Sequence, residues 1–323
     1  MSLLTTHVGS YPKPPALQKA RTRFSRGEIA YEELHRLEER ATRDWVEFQE
    51  SIGLDILVDG EQYRGDMATY FAEHLEGTAI SGLVRSYGNR YYKKPIVTGA
   101  LRRAGPITVE WWRTVQEWTD RPVKGMLTGP YTMMDWSFDE HYGSRRETAL
   151  AFARVLRDEA RDLASAGASW IQIDEPALSA RADELPLVVE ALGIVTEGLP
   201  AKTITHTCFG NYARLYPDLL KLPVDQIDLE MSNSGLDMIA LFRKYPFTKE
   251  IAFGVIDVHT HVVESKDLVK ERIRRALEVV PPERLYIDPD CGLKTRTVDE
   301  AKAKMTVMVE AAREVRAEIG AKG

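Results

Sequence analysis

Only two cysteines occur in the 323 residues, and both stand in comparable places. Cys208 ends the run TITHTC and Cys291 ends RLYIDPDC, each an apolar stretch of strand length. Residues i and i+2 of a strand share a face, so His206 and Cys208 would point the same way. Glu230 closes a third such run, QIDLE. Two thiolates, an imidazole and a carboxylate are donors that Zn2+ takes. Structural zinc sites usually bring close Cys-x-x-Cys pairs, whereas ligands drawn from separate strand ends suit a catalytic site. Taken alone, His206 and Cys208 are better explained as part of a packed core strand. Cys291 and Glu230 set the metal reading beside it.

Other strand ends carry carboxylates. LVDGEQYRGDM offers Asp59, Glu61 and Asp66, and IQIDEPAL offers Asp174 and Glu175, with Pro176 ending the run. GVIDVHTH alternates Asp257, His259 and His261 on one face. Carboxylates suit a substrate ammonium, and a nearby imidazole suits general acid work. Any one of these charges is also explained as a helix cap or a solvated loop residue.

The elements that must position these groups are short apolar runs, most of them followed by helical patterns. Strands are expected over Leu4–Ser10, Asp55–Gly60, Lys124–Gly129, Ser169–Asp174, Thr203–Cys208, Gln226–Met231, Ile251–His259 and Arg284–Cys291. Ser144-x-x-Glu147 and Thr297-x-x-Glu300 open helices as capping boxes, and Gly167 and Gly320 stand where helices stop. Eight strand–helix alternations predict a (β/α)8 TIM barrel, an α/β fold, in preference to an open doubly wound sheet. Active sites of such barrels lie at the C-terminal strand ends, where all these residues fall. The excess of chain at roughly 63–121, with its Gly-punctuated turns, reads as a hairpin insertion after the second strand. No linker-like stretch divides residues 1–323, which are expected to form a single catalytic domain.

Composition excludes several classes. Lys and Arg total 43 against 49 Asp and Glu, a net charge of −6, with no basic block to hold nucleic acid. No apolar run reaches spanning length, and MSLLTTHVGSYPKPP lacks a signal-peptide pattern. A cytoplasmic location without membrane contact is expected, where one disulfide between Cys208 and Cys291 would be unusual.

Several motifs resemble cobalamin-independent methionine synthase: THVGSYPK, DGEQYRGDMATYF, MLTGPYTMMDWS, IQIDEPAL, HTC, DLE, GVIDVH and DPDCGLKTR. The resemblance runs in order from Thr6 to Arg296 and is to the C-terminal, catalytic barrel of that two-barrel family. Single-barrel relatives look closer still. It implies a homocysteine S-methyltransferase making methionine, with His206, Cys208, Glu230 and Cys291 as zinc ligands. Gly9, Ser10, Glu61 and Asp174 match positions that hold the homocysteine backbone. His259 matches the proposed proton donor and Asp257 the acid before it. Arg90 and Trp136 match folate-contacting positions. The chain departs from the family at RYYKKP and at DVHTH, where His261 is extra. The donor is expected to be methylcobalamin or a methylcorrinoid protein rather than a methylfolate. The reason is that a folate tail needs a basic groove, for which only Arg85, Arg90, Lys93, Lys94, Arg102 and Arg103 are at hand. Two alternatives are alkyl transfer to another thiol, such as coenzyme M, and a non-catalytic zinc-binding barrel.

Overall fold

Strands and helices alternate along the computed structural model, which describes residues 3–85, 91–208, 210 and 212–320. In chain order the strands are β1 (Leu4–Thr5), β2 (Leu75–Arg85), β3 (Tyr91–Arg103), β4 (Gly125–Thr128), β5 (Phe138–Asp139), β6 (Trp170–Asp174), β7 (Lys202–Thr207), β8 (Gln226–Leu229), β9 (Glu250–Ile256) and β10 (Leu285–Pro289). The helices are α1 (Pro15–Ser25), α2 (Tyr31–Ile52), α3 (Met67–Ala72), α4 (Val109–Gln116), α5 (Pro130–Asp135), α6 (Arg145–Ala166), α7 (Leu185–Thr196), α8 (Met238–Lys244), α9 (Lys266–Leu277) and α10 (Val298–Gly320). Packing divides the chain into two units. One comprises Met1–Tyr63, Thr114–Lys124 and Ile227–Gly323, the other Arg64–Arg113 and Gly125–Gln226.

In the first unit β1 pairs in parallel with β10, and β10 with β9, Leu285 standing opposite Ile251. β8 lies beside β9. Ile227, Leu229, Ile251, Phe253 and Ile287 are fully buried, as apolar strands of a parallel α/β sheet should be. On the far side of β1 the Ile56 N–H donates to the Thr5 carbonyl, and Leu57 bridges Val123. The strand expected over Asp55–Gly60 is thus a single bridge. Gln49 of α2 explains it. Its amide donates to the Val58 carbonyl at 2.9 Å and accepts the Val58 N–H at 3.0 Å, taking the backbone groups a neighbouring strand would take. The Leu4–Ser10 strand likewise stops at Thr5, and beyond it the His7 ring accepts the Gly9 N–H at 2.9 Å. The capping box before α10 forms in both directions, Glu300 N–H to Thr297 Oγ1 and Thr297 N–H to Glu300 Oε2.

In the second unit β4, β6 and β7 pair in parallel, with Gly125 opposite Ile171 and Trp170 opposite Lys202. α6 opens on Ser144, whose hydroxyl accepts the Glu147 N–H, and stops at Gly167 in the left-handed region. β2 and β3 form an antiparallel ribbon, and β3 pairs with β5. Gly77, at φ +81°, must be glycine: a Cβ there would lie 2.5 Å from the Ala100 carbonyl oxygen. The ribbon's exit is anchored by Glu159 of α6. This wholly buried carboxylate pairs with Arg103 and accepts the N–H groups of Ile107 and Thr108 and the Thr108 hydroxyl. Donors on every side offset the cost of burying its charge. Among the described residues no helix is long and apolar enough to cross a membrane.

Candidate active site

Three strand ends of the first unit meet around one carboxylate. Glu230, directly after β8, is 4% exposed. Its Oε1 accepts from His259 Nε2 at 2.5 Å and from Asn233 Nδ2 at 3.2 Å. The hydrogen bond to Glu230 raises the His259 pKa above its ordinary value, against the opposing effect of burial; the charges of Glu230, Asp257 and Cys291 push it the same way. The imidazole therefore keeps its proton to higher pH than a free histidine. Glu230, His259 and Cys291 are thus neighbours. Asp257 also accepts the backbone N–H of His259 through Oδ1 at 2.8 Å and shapes the turn. Because β9 ends at Ile256, the expected alternation over residues 257–261 is not kept. His261 is 70% exposed and bonds Glu300 Oε1 at 2.9 Å, in the cap of α10.

Asp290 is the residue that sequence reasoning missed. Its carboxylate accepts the N–H groups of Met231, Ser232 and Asn233 and the Ser232 hydroxyl, at 2.6–3.0 Å. It thereby fixes the loop that carries Glu230 and Asn233. β9 passes so near that a Cβ on Gly254 would lie 2.2 Å from Asp290 Oδ1. Burial pushes the Asp290 pKa up to about 6 in spite of the Ser232 and Asn233 hydrogen bonds. The signal was present in DPDC, but a second acid beside a cysteine looks like one more candidate ligand.

Ser10 and Glu61 belong to the same unit. A Cβ on Gly292 would fall 2.1 Å from Ser10 Oγ, and the Leu293 N–H donates to the Ser10 carbonyl, so Ser10 stands against the segment following Cys291. The neighbouring Gly9 N–H is committed to His7. Glu61 has φ +56°, a left-handed conformation costly for a residue with a Cβ. It is held by Asp59, which accepts the Glu61 N–H at 2.9 Å and the Tyr63 hydroxyl at 2.6 Å, while Lys13 bonds the Glu61 carbonyl. Asp66 caps α3 through the Ala68 and Thr69 N–H groups.

The second unit holds the rest. His206 and Cys208 are both buried, on β7 and just beyond it. Asp174 ends β6, is 9% exposed, and accepts from Gln172 Nε2 at 2.8 Å. Its neighbour Glu175 is spent structurally. It accepts the Tyr131 and Thr132 N–H groups and the Thr132 hydroxyl, and its own N–H donates to the His206 carbonyl. A Cβ on Gly129 would lie 2.2 Å from the Glu175 carboxyl carbon, so this glycine admits the clamp. Trp136 follows α5 and is half-buried. Arg90 lies outside the described residues. Both cysteines are free of any disulfide. Imidazole, thiolate and carboxylate, the groups carried by His206, by Cys208 and Cys291, and by Glu230, are each of a kind that zinc takes.

Comparison with known proteins bears on this arrangement. The family model described as "Cobalamin-independent synthase, Catalytic domain" matches residues 3–314. A protein of Mycolicibacterium paratuberculosis named 5-methyltetrahydropteroyltriglutamate--homocysteine methyltransferase is 42% identical over 98% of this chain and 43% of its own length. One of the same name from Ralstonia pickettii is 40% identical, with 98% and 42% covered. The chain therefore spans less than half the length of these curated relatives. A solved B12-independent methionine synthase of Shewanella sp., in complex with selenomethionine, is 31% identical with a TM-score of 0.88, covering 99% of this chain and all of that one. A putative vitamin-B12-independent methionine synthase of Listeria monocytogenes shares the fold at a TM-score of 0.78 and 22% identity. The alternation of parallel strands and helices is thus that of a TIM-barrel-like α/β fold. The family is described as cobalamin-independent and these two relatives are named for a methylated pterin with a triglutamate tail, which stands against the expected corrinoid donor. By the match over residues 3–314, the chain belongs to the cobalamin-independent synthase catalytic-domain family.

Proposed function

We propose that this chain transfers a methyl group from a methylfolate to the thiol of homocysteine, yielding methionine, and that it does so as a zinc enzyme. The observation that carries this reading is the Glu230–His259 hydrogen bond beside Cys291. It keeps a proton-bearing imidazole next to a carboxylate of the proposed metal site. His206, Cys208, Glu230 and Cys291 would hold the metal. Zinc, when bound, lowers the pKa of a substrate thiol so that the nucleophilic anion exists at neutral pH.

The chain's own residues supply the remainder. Methyl transfer from N5 of a folate leaves electron density on nitrogen, and protonating that atom makes it a better leaving group. His259, with its raised pKa, is the proton source. Asp257 sets the backbone turn that aims it. Asp174 and Glu61 bind the substrate ammonium, and Ser10 with Gly9 borders its carboxylate end. Trp136 and Arg90 are assigned to the folate. We also read the strand–helix alternation as a (β/α)8 barrel and a single domain over residues 1–323. The β2–β3 ribbon is then an insertion after the second strand, and the free cysteines suit a cytoplasmic location.

The test is a methyl-transfer assay on the purified chain with zinc. 5-Methyltetrahydrofolate, as mono- and triglutamate, is offered with homocysteine or coenzyme M as acceptor. Methionine formation from homocysteine alone is expected. Turnover only with coenzyme M, or none with either acceptor in a zinc-loaded preparation, would overturn the reading.

A further inference from the structure

Lys304 is fully buried in α10, on the stripe Ala301, Lys304, Met305, Met308 whose other members are apolar. An ammonium is costly in such a place unless it is paired and hydrogen-bonded. Its three donors all go to one short segment: the Asp257 carbonyl at 2.9 Å, Glu264 Oε2 at 2.9 Å, and the Val262 carbonyl. Glu264, itself 7% exposed, returns along the same segment, its Oε1 accepting the Asp257 N–H at 2.7 Å. Arg272 of α9 lies 3.6 Å from Glu264 and donates to the Val255 carbonyl at 2.7 Å. Both ends of the 257–264 segment are therefore tied to a single ammonium, and His259 lies between the ties.

We propose that Lys304 is a positioning residue for His259: with Glu264 it closes the segment after β9 into a fixed loop and holds the imidazole in place against Glu230. None of these hydrogen bonds is to a proposed metal ligand or to a residue assigned to homocysteine. Its loss acts on the group that works once both substrates are bound. The activity arm of this inference rests on the methyl-transfer reading above; the structural arm does not.

The experiment uses the full zinc-loaded chain and two variants. Lys304→Met keeps the length of the side chain and removes its donors. Glu264→Gln keeps an acceptor for the Asp257 N–H and removes the charge, and serves where Lys304→Met fails to fold. Hydrogen exchange read by mass spectrometry should show lost protection over residues 257–264, with the rest of α10 still protected. Zinc content and the KM for homocysteine should stay within about twofold, while kcat falls roughly 10- to 100-fold, as expected for a displaced catalytic group. Glu264→Gln should give a smaller change of the same kind. Unchanged exchange over 257–264 would overturn the proposal. So would loss of protection throughout the protein in both variants, or a rise in KM matching the fall in kcat, since these mark general destabilisation. If the wild-type chain transfers no methyl group, the function reading fails while the exchange measurement still decides the clamp.

Discussion

His259 Nε2 and Glu230 Oε1 share a 2.5 Å hydrogen bond, so one carboxylate serves both the proposed metal and the proposed acid. Asn233 is the second donor to the same oxygen, which directs the carboxylate's orientation. Replacing His259 by Ala should leave zinc and homocysteine binding intact. Turnover with methylfolate should fall by about 100- to 10,000-fold, the usual worth of a general acid. Stopped assays with the wild type and the variant decide this. A variant within about threefold of wild type would remove His259 from the chemistry.

Metal analysis checks the ligand set directly. The wild-type chain should hold about one zinc through these donors. Cys208→Ser and Cys291→Ser should each lose it, because a hydroxyl is a far poorer zinc ligand than a thiolate. A full zinc complement in Cys291→Ser would remove that residue from the set. His261→Ala serves as a control, its ring being exposed and paired with Glu300, and should change neither metal nor rate.

How far the sequence discloses this site depends on what each residue bonds. The termini of β6 to β10 were legible because their apolar runs end in residues of catalytic type. Asp174 and Glu175 are adjacent and chemically alike, and nothing in IQIDEPAL separates the acid bonded to Gln172 from the one clamped on Tyr131 and Thr132. Asp290 was hidden for the same reason: its partners are backbone N–H groups of a distant loop, which have no sequence signature. The Asp55–Gly60 strand failed because a side chain, Gln49, bonds its backbone. Lys304 was hidden among helical charges, since periodicity marks a buried stripe but does not single out a lysine placed on it.

Asp174 is the test of the amino-acid substrate. A charge-assisted hydrogen bond to an ammonium contributes about 1.5–3 kcal/mol. Asp174→Asn should therefore raise the Kd for homocysteine roughly ten- to a hundredfold. Zinc should remain bound, because Asp174 is not in the donor set. Calorimetric titration of homocysteine into the zinc-loaded variant measures both the affinity and the stoichiometry. Wild-type affinity would mean that the amine is held elsewhere, and a substrate thiol without an amino group would then gain.

The last prediction concerns stability and lies away from the metal ligands. Glu38 of α2 is buried against Arg21 of α1, with Nη1 to Oε1 at 2.5 Å. Burial raises its pKa from 4.5 to about 7, outweighing the opposing pull of Arg21 and Lys13. A carboxyl whose folded pKa lies above its unfolded value binds more protons in the native state between the two. Stability must then fall as pH rises through that window, here from about 4.5 to about 7. At 1.36 kcal/mol per pKa unit the full swing is at most about 3.5 kcal/mol, less where solvent reaches the Arg21 side. Glu38→Gln cannot ionise and should lack this slope. Unfolding free energies of wild type and variant at pH 5 and pH 7.5 provide the comparison. The advantage of the wild type over the variant should shrink at the higher pH. A difference independent of pH would mean that Glu38 is already ionised at pH 5, with the Arg21 pair outweighing burial.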